Sequence, residues 1–243
     1  MALNEETGVY GKSDRLTAEV LEQTARRFNT ARRKVNGLAD FDRLNVLLRA
    51  VYDEAYWDMR QLMREIGRSQ YDENTDAKKR REKFEDIFLL VLFDESDPIT
   101  GYILGNEVER KRERLYEQVV SIKSHKTPNQ QVGSEETDYG DTLVPSQDME
   151  IRKAFDRAYN LWSHMVQEYS VRAVDVARLM AYEDMGVKRV RWNAEIDNKV
   201  CDECLSRHGR KYLLHRVPAK PHWNCRCWLT AVPEKDIKQE NEE

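Results

Sequence analysis

Residues 201–227 read CDECLSRHGRKYLLHRVPAKPHWNCRC, and this stretch decides how the C-terminal part of the chain folds. It carries two pairs of metal-binding residue types with two-residue gaps, followed by one further cysteine: Cys201 and Cys204, His222 and Cys225, and Cys227. A two-residue gap lets both side chains of a pair turn toward one ion, and a second pair completes a tetrahedron. The spacing therefore predicts a zinc site.

The fourth ligand of this site stays open, because five donors compete for four places. Cys201 and Cys204 belong to every set that we consider. We favour adding His222 and Cys225, and the alternative all-cysteine set takes Cys225 and Cys227. The intervening loop also holds two histidines that could substitute, His208 and His215.

Metal explains the cysteines better than bare thiols or a disulfide. All four cysteines of the chain lie within 201–227. The polar N-terminus has no secretory signal, which predicts a soluble protein made in a reducing cytoplasm, where clustered cysteines indicate metal. A segment this short and polar needs a staple to fold. Because the ligands outnumber the places and no His-Glu-x-x-His helix is present, we expect a closed structural zinc and no enzyme.

The rest of the chain is typical of a mainly α protein. Only 10 Gly and 6 Pro interrupt a sequence that is 35% charged, which favours long helices. Apolar residues at helical spacing predict helices over 14–35, 40–67, 77–93, 103–123 and 147–185. Alternation around Val190 and Trp192 predicts a short strand. The expected fold is an extended helical N-terminal arm with a small α+β zinc-stapled C-terminal domain.

Changes in composition predict the domain boundaries. The stretch 124–146 is polar and almost without apolar residues, which is typical of a flexible linker. The predicted division is a helical arm, that linker, a long helix with the zinc domain, and a charged tail: 1–123, 124–146, 147–232 and 233–243.

Charge and hydropathy narrow the classes of partner. The 40 basic and 44 acidic residues give a net charge of −4, so the whole protein has no electrostatic footprint for nucleic acid. The region 186–232 is locally basic, and contact with DNA is compatible with it. The longest apolar run, 87–93, is too short to cross a membrane.

The C-terminal motifs resemble those of a known family. Residues 191–204 (RWNAEIDNKVCDEC) have the aromatic residue, the aspartate and the Cys-x-x-Cys pair of phage head morphogenesis proteins, the phage Mu F-like minor head family. The glycine-containing turn at 208–212 and the closing stretch 221–227 (PHWNCRC) follow the same pattern. The resemblance covers about residues 170–232.

The resemblance implies a structural minor head protein, or minor capsid protein, of a tailed bacteriophage. Such a protein acts in head morphogenesis, with DNA packaging or ejection as further candidate roles. Its implied partner is the portal protein, with scaffold protein, major capsid protein and packaged DNA as further candidates. Its implied location is the inside of the head near the portal, and the host cytoplasm during assembly.

Two other functions compete with this interpretation. Small Cys-x-x-Cys domains often bind nucleic acid, so a zinc-knuckle nucleic-acid-binding protein or nuclease is one alternative. A cytoplasmic scaffold that oligomerises through its helices is the other, and it leaves the C-terminal motifs unexplained.

Overall fold

The computed structural model describes residues 8–38, 40–94, 103–124, 145–198 and 200–233. It confirms a mainly helical protein with a small three-stranded sheet near the C-terminus. The helices are α1 (Gly11–Val35), α2 (Phe41–Asn74), α3 (Phe84–Leu89), α4 (Leu104–Ser124), α5 (Pro145–Asp184) and α6 (Asp202–Arg207). The strands are β1 (Arg189–Asn193), β2 (Lys211–Leu213) and β3 (Trp228–Ala231).

One face of helix α1 is buried, and this face carries hydroxyl groups as well as apolar side chains. Phe28, Ala31 and Val35 are buried, and so are Thr24 and Thr17, about one and three turns before Phe28 along the same stripe. The two threonine hydroxyls donate to the backbone carbonyls four residues back, at 2.7 and 3.0 Å. Because both hydroxyls are hydrogen-bonded, the two threonines can be buried among the apolar side chains of this face.

Helix α2 extends past Gly67, where the sequence predicted its end, and reaches Asn74. The predicted single helix over 77–93 is instead a 3₁₀ turn (Ala77–Lys79), then α3, then a π-helical turn (Leu90–Asp94). The interruption has a side-chain cause at Arg81. Its backbone N–H donates to the Tyr71 hydroxyl at 2.7 Å and its guanidinium binds Asp184, so this backbone group is not available to a helix.

The chain forms two compact units. One comprises residues 18–60 and 104–166. An aromatic chain crosses its core: the ring of Tyr52 meets those of Phe28 and Trp162 edge to face, with centroids 5.3 and 5.7 Å apart. Lys123 closes the end of α1, since its ammonium donates to the carbonyl of Val35 at 2.9 Å and to that of Leu38.

The other unit combines three stretches, 1–17, 61–103 and 167–243. Its sheet has the order β2-β1-β3, and both pairings are antiparallel. The predicted boundaries at 123, 146 and 232 stay a prediction, since most of the proposed linker (125–144) and most of the proposed tail (234–243) lie outside the described residues. In the part of the chain that is described, no helix combines the length and hydropathy of a bilayer-spanning segment.

Gly67 lies inside α2 because the aromatic ring of Phe88 occupies the space where a side chain would lie. A Cβ at this position would lie 2.4 and 2.5 Å from two atoms of the Phe88 ring. Phe88 is fully buried and stacks on Phe84 with centroids 5.3 Å apart, so it cannot move away freely.

We therefore expect Gly67→Ala to lower the free energy of unfolding by about 1–3 kcal/mol, the usual cost of overpacking, although alanine favours helix. Gly105→Ala is the matched control, because its Cβ would have 4.0 Å to the nearest atom, and it should be neutral or stabilising by up to about 1 kcal/mol. Urea unfolding of both variants measures the difference. Equal stabilities would contradict the close contact.

Candidate metal centre

The first pair of donors is positioned by the start of α6. Cys201 is the N-cap residue, with an extended backbone (φ −83°, ψ 158°), and its Sγ accepts a hydrogen bond from the backbone N–H of Cys204 at 3.3 Å. A side chain that caps a helix in this way faces back toward its first turn. The thiols of Cys201 and Cys204 therefore lie on the same side of the turn.

The second group of donors lies on a tight turn before β3. Asn224 has a left-handed backbone (φ 55°), a conformation that asparagine tolerates better than most residues. Its N–H donates to the buried carboxylate of Glu168 on α5. His222 donates from Nδ1 to the carbonyl of Trp223 at 2.9 Å, which leaves Nε2 as the acceptor nitrogen.

The two groups converge on Cys204. Its Sγ lies 3.4 Å from Nε2 of His222 and 3.5 Å from Sγ of Cys225. The donor atoms form two triplets, each with all atoms within 4.8 Å of one another: Cys201, Cys204 and His222, and Cys204, Cys225 and Cys227. Zinc bond lengths place tetrahedral ligands roughly 3.8 Å apart for two sulfurs and roughly 3.5 Å apart for sulfur and nitrogen. The spacing around Cys204 suits such an ion.

The close packing of the thiols shifts their pKa values in opposite directions. A hydrogen bond from Cys225 lowers the pKa of Cys227 to about 5, and the same contact raises the pKa of Cys225. Burial raises the pKa of Cys204 to about 12. One thiolate thus forms at the expense of its neighbours, because like charges in one site oppose each other. A metal ion would allow several to ionise together.

Few fully buried apolar side chains surround the donor cluster. Buried Trp192 and Ala194 join Cys204, Cys225 and Cys227 in one cluster. The guanidinium of Arg207 lies over the Trp192 ring, 5.1 Å from its centroid. Side chains outside the sheet also hold the donor residues in place.

That support includes a polar network of Tyr10, Asp175 and Lys220. The ammonium of Lys220 binds the Asp175 carboxylate at 2.5 Å, donates to the Tyr10 hydroxyl at 2.9 Å and donates to the carbonyl of Cys225 at 2.8 Å. The Tyr10 hydroxyl also lies 3.0 Å from the carboxylate and 2.8 Å from the carbonyl of Cys227. The network therefore holds the backbone at two of the candidate ligands.

Burial dominates the chemistry of this network. It raises the pKa of Tyr10 well above its usual value, so the hydroxyl keeps its proton. It also raises the pKa of Asp175, although the nearby Lys220 opposes this shift. A second contact lies beside it, where Arg226 forms a bidentate pair with Asp14 of α1 at 2.8 and 2.6 Å. No local sequence pattern marks these partners, which lie far apart along the chain.

The structure brings together all five donors that the sequence singled out. The two loop histidines belong to neither triplet. Nδ1 of His208 instead accepts a hydrogen bond from the backbone of Ala194 at 3.1 Å, and His215 is exposed on a 3₁₀ turn. Neither takes the place of a ligand in this arrangement.

Comparisons with known proteins identify no relative. No protein-family model, curated protein or solved structure matches the chain.

Removing the ammonium of Lys220 tests the network. Lys220→Met leaves the Asp175 carboxylate without its ion pair, and both side chains are only 17% exposed. We expect a loss of about 2–4 kcal/mol, slightly less than for a fully buried pair. Urea unfolding measures the loss, and Arg26→Met is the control, because its pair with Glu22 is exposed and contributes under about 0.5 kcal/mol.

A second substitution separates the lost pair from lost packing. Replacing Asp175 by Asn in the Lys220→Met background removes the unpaired charge and should recover part of the stability. If this double variant is as unstable as the sum of the single losses, the ion pair is not what holds the turn.

Proposed function

We propose that the cluster binds one structural zinc ion through Cys201, Cys204, His222 and Cys225. The hydrogen bond from Nδ1 of His222 to the Trp223 carbonyl supports this ligand set. Histidines that bind metal through one ring nitrogen usually donate from the other to a carbonyl or carboxylate, which fixes the ring and its tautomer. Cys227 then stays beside the ion as a neighbouring thiol.

A structural role follows from the surroundings of the donors. Cys204 and Cys225 are almost fully buried, Cys201 is partly buried and His222 is exposed. Together these four protein donors can fill all four positions of a tetrahedral ion. A catalytic zinc keeps one position for water or substrate. Zinc here would hold the turn before β3 against the start of α6.

Metal analysis of the purified protein tests the ligand set. Native mass spectrometry should find about one zinc per chain, with the ion lost in Cys201→Ser and in His222→Ala. His208→Ala and His215→Ala are matched controls and should keep it. If zinc remains bound in the His222→Ala variant, Cys227 would be the fourth ligand. The absence of zinc from freshly reduced wild-type protein would refute the site.

The function that we propose is that of a structural minor head protein of a tailed bacteriophage, associated with the portal. Its support is the resemblance of residues 191–204 and 221–227 to that family, together with the close approach of the donors from both motifs in one cluster. The motifs are separate in sequence, and a chance match of each would not require their side chains to meet.

The helices offer a surface for a protein partner. Val46 and Trp57 on α2 are 70% and 61% exposed. They are eleven residues apart, about three helical turns, so they lie on nearly the same face. Two large exposed apolar side chains on one helix face are candidate contacts for a protein partner. The resemblance implies the portal protein as the partner, with scaffold or major capsid protein as further candidates.

Analysis of purified virions tests the proposed function. We expect the protein inside DNA-filled heads at few copies relative to the major capsid protein, by quantitative mass spectrometry. Cys201→Ser should lower its incorporation strongly, because the turn that carries the motif loses its metal, whereas His208→Ala should not. A protein that is absent from heads would contradict the proposal.

A further inference from the structure

A small cavity lies between helices α4 and α5, within the unit that comprises residues 18–60 and 104–166. Its volume is about 140 Å³. Three cationic side chains line it: Lys111 and Arg114 of α4, and Arg157 of α5. Residues three apart on a helix share a face, so α4 presents both of its cations to the cavity together.

Among the residues that the structure describes, no acid lines this cavity. Its other lining residues are neutral: Tyr52, Leu115, Gln118, Ala158 and Leu161. The ammonium of Lys111 has a partner outside the lining, because it lies 2.8 Å from the carboxylate of Glu107. Arg114 and Arg157 form no ion pair with any described residue. The cavity therefore has an excess of positive charge.

The acids next to these arginines along the chain do not remove this excess. Glu113 and Asp156 directly precede Arg114 and Arg157, so their side chains point about 100° away around the helix. Glu117 follows Arg114 by one turn, but it is exposed and forms no ion pair with a described residue. None of the three acids lines the cavity.

The walls of the cavity are largely apolar and include a buried hydroxyl group. Tyr52 is only 1% exposed, and its hydroxyl donates to the carbonyl of Lys111 at 3.4 Å, which is long for such a bond. Burial raises the pKa of Tyr52, so the hydroxyl keeps its proton. Charges interact more strongly beside apolar walls than in open water, which favours an anion in this cavity.

We infer that this cavity binds one phosphate group, either as inorganic phosphate or as the end of a small phosphate ester. Guanidinium groups bind phosphate with two parallel hydrogen bonds each, and Arg114 and Arg157 supply two such groups from different helices. The size also fits, since the cavity has the volume of about four or five waters at roughly 30 Å³ each. The site goes beyond the proposed function, and neither depends on the other.

Isothermal titration calorimetry of the full-length protein with sodium phosphate tests the inference, in a chloride buffer of constant ionic strength. We expect a single saturable site. Arg157→Gln and Arg114→Gln should each weaken binding by about tenfold or more, because hydrogen bonds to charged groups are lost. Arg152→Gln is the matched control: it removes the same charge from an exposed position of α5 that does not line the cavity, and it should bind like wild type.

Thermal unfolding separates a binding role of the two arginines from a structural one. Phosphate should raise the midpoint of the wild-type protein by mass action, and it should raise that of the Arg114→Gln, Arg157→Gln double variant much less. Without phosphate, the double variant should be at least as stable as wild type, because two like charges have been removed. A clearly lower midpoint would identify the arginines as structural and overturn the inference.

Three further outcomes would also overturn it: no saturable binding of phosphate, an equal loss of binding in Arg152→Gln, or equally tight binding of acetate, which would indicate a site for carboxylates. Competition by glycerol phosphate distinguishes the two sources of the phosphate group. If this ester displaces inorganic phosphate, the site accepts esters, and if it does not, the ligand is the free ion; both results support a phosphate site.

Discussion

The sheet near the C-terminus depends on contacts that it cannot provide itself. Its three strands span three to five residues each. Its buried cluster consists of Trp192, Ala194 and three cysteines, and the residues packed against it are only partly buried: Val200, Cys201, Tyr212, Val217 and Leu229. A core of this size does not offset the entropy lost on ordering the chain. Convergence of both donor groups on Cys204 supplies the missing constraint, since an ion bound there would tie the turn before β3 to the start of α6.

An ion pair and hydrogen bonds to other parts of the chain also hold the turn before β3 in place. Lys220 forms an ion pair with the carboxylate of Asp175 on α5 and donates a hydrogen bond to the carbonyl of Cys225. The Tyr10 hydroxyl donates a hydrogen bond to the carbonyl of Cys227. These bonds lie in a largely dry environment, where paired groups stabilise and unpaired ones cost heavily. These bonds therefore hold the backbone at two candidate ligands, Cys225 and Cys227, independently of the donor atoms themselves.

The sequence was informative wherever the signal is local. Helical spacing predicted α1, α2, α4 and α5, but the single helix that it predicted over 77–93 is interrupted. Alternation predicted β1, and two-residue gaps predicted the donors that lie together. The prediction that α2 ends at Gly67 was wrong, because a glycine that ends a helix and a glycine that leaves room for a neighbouring ring look alike in sequence. Tyr10 and Asp175 were missed because they are 165 residues apart, and no periodicity marks a pair brought together only by folding.

X-ray absorption at the zinc edge tests the central claim, that one closed cysteine–histidine site organises the C-terminal part of the chain. We predict a four-coordinate ion with three sulfur ligands at about 2.3 Å and one nitrogen at about 2.0–2.1 Å, without a bound water. Four sulfurs would keep the closed site and replace His222 by Cys227. A shell dominated by oxygen and nitrogen, or one that includes water, would contradict the account.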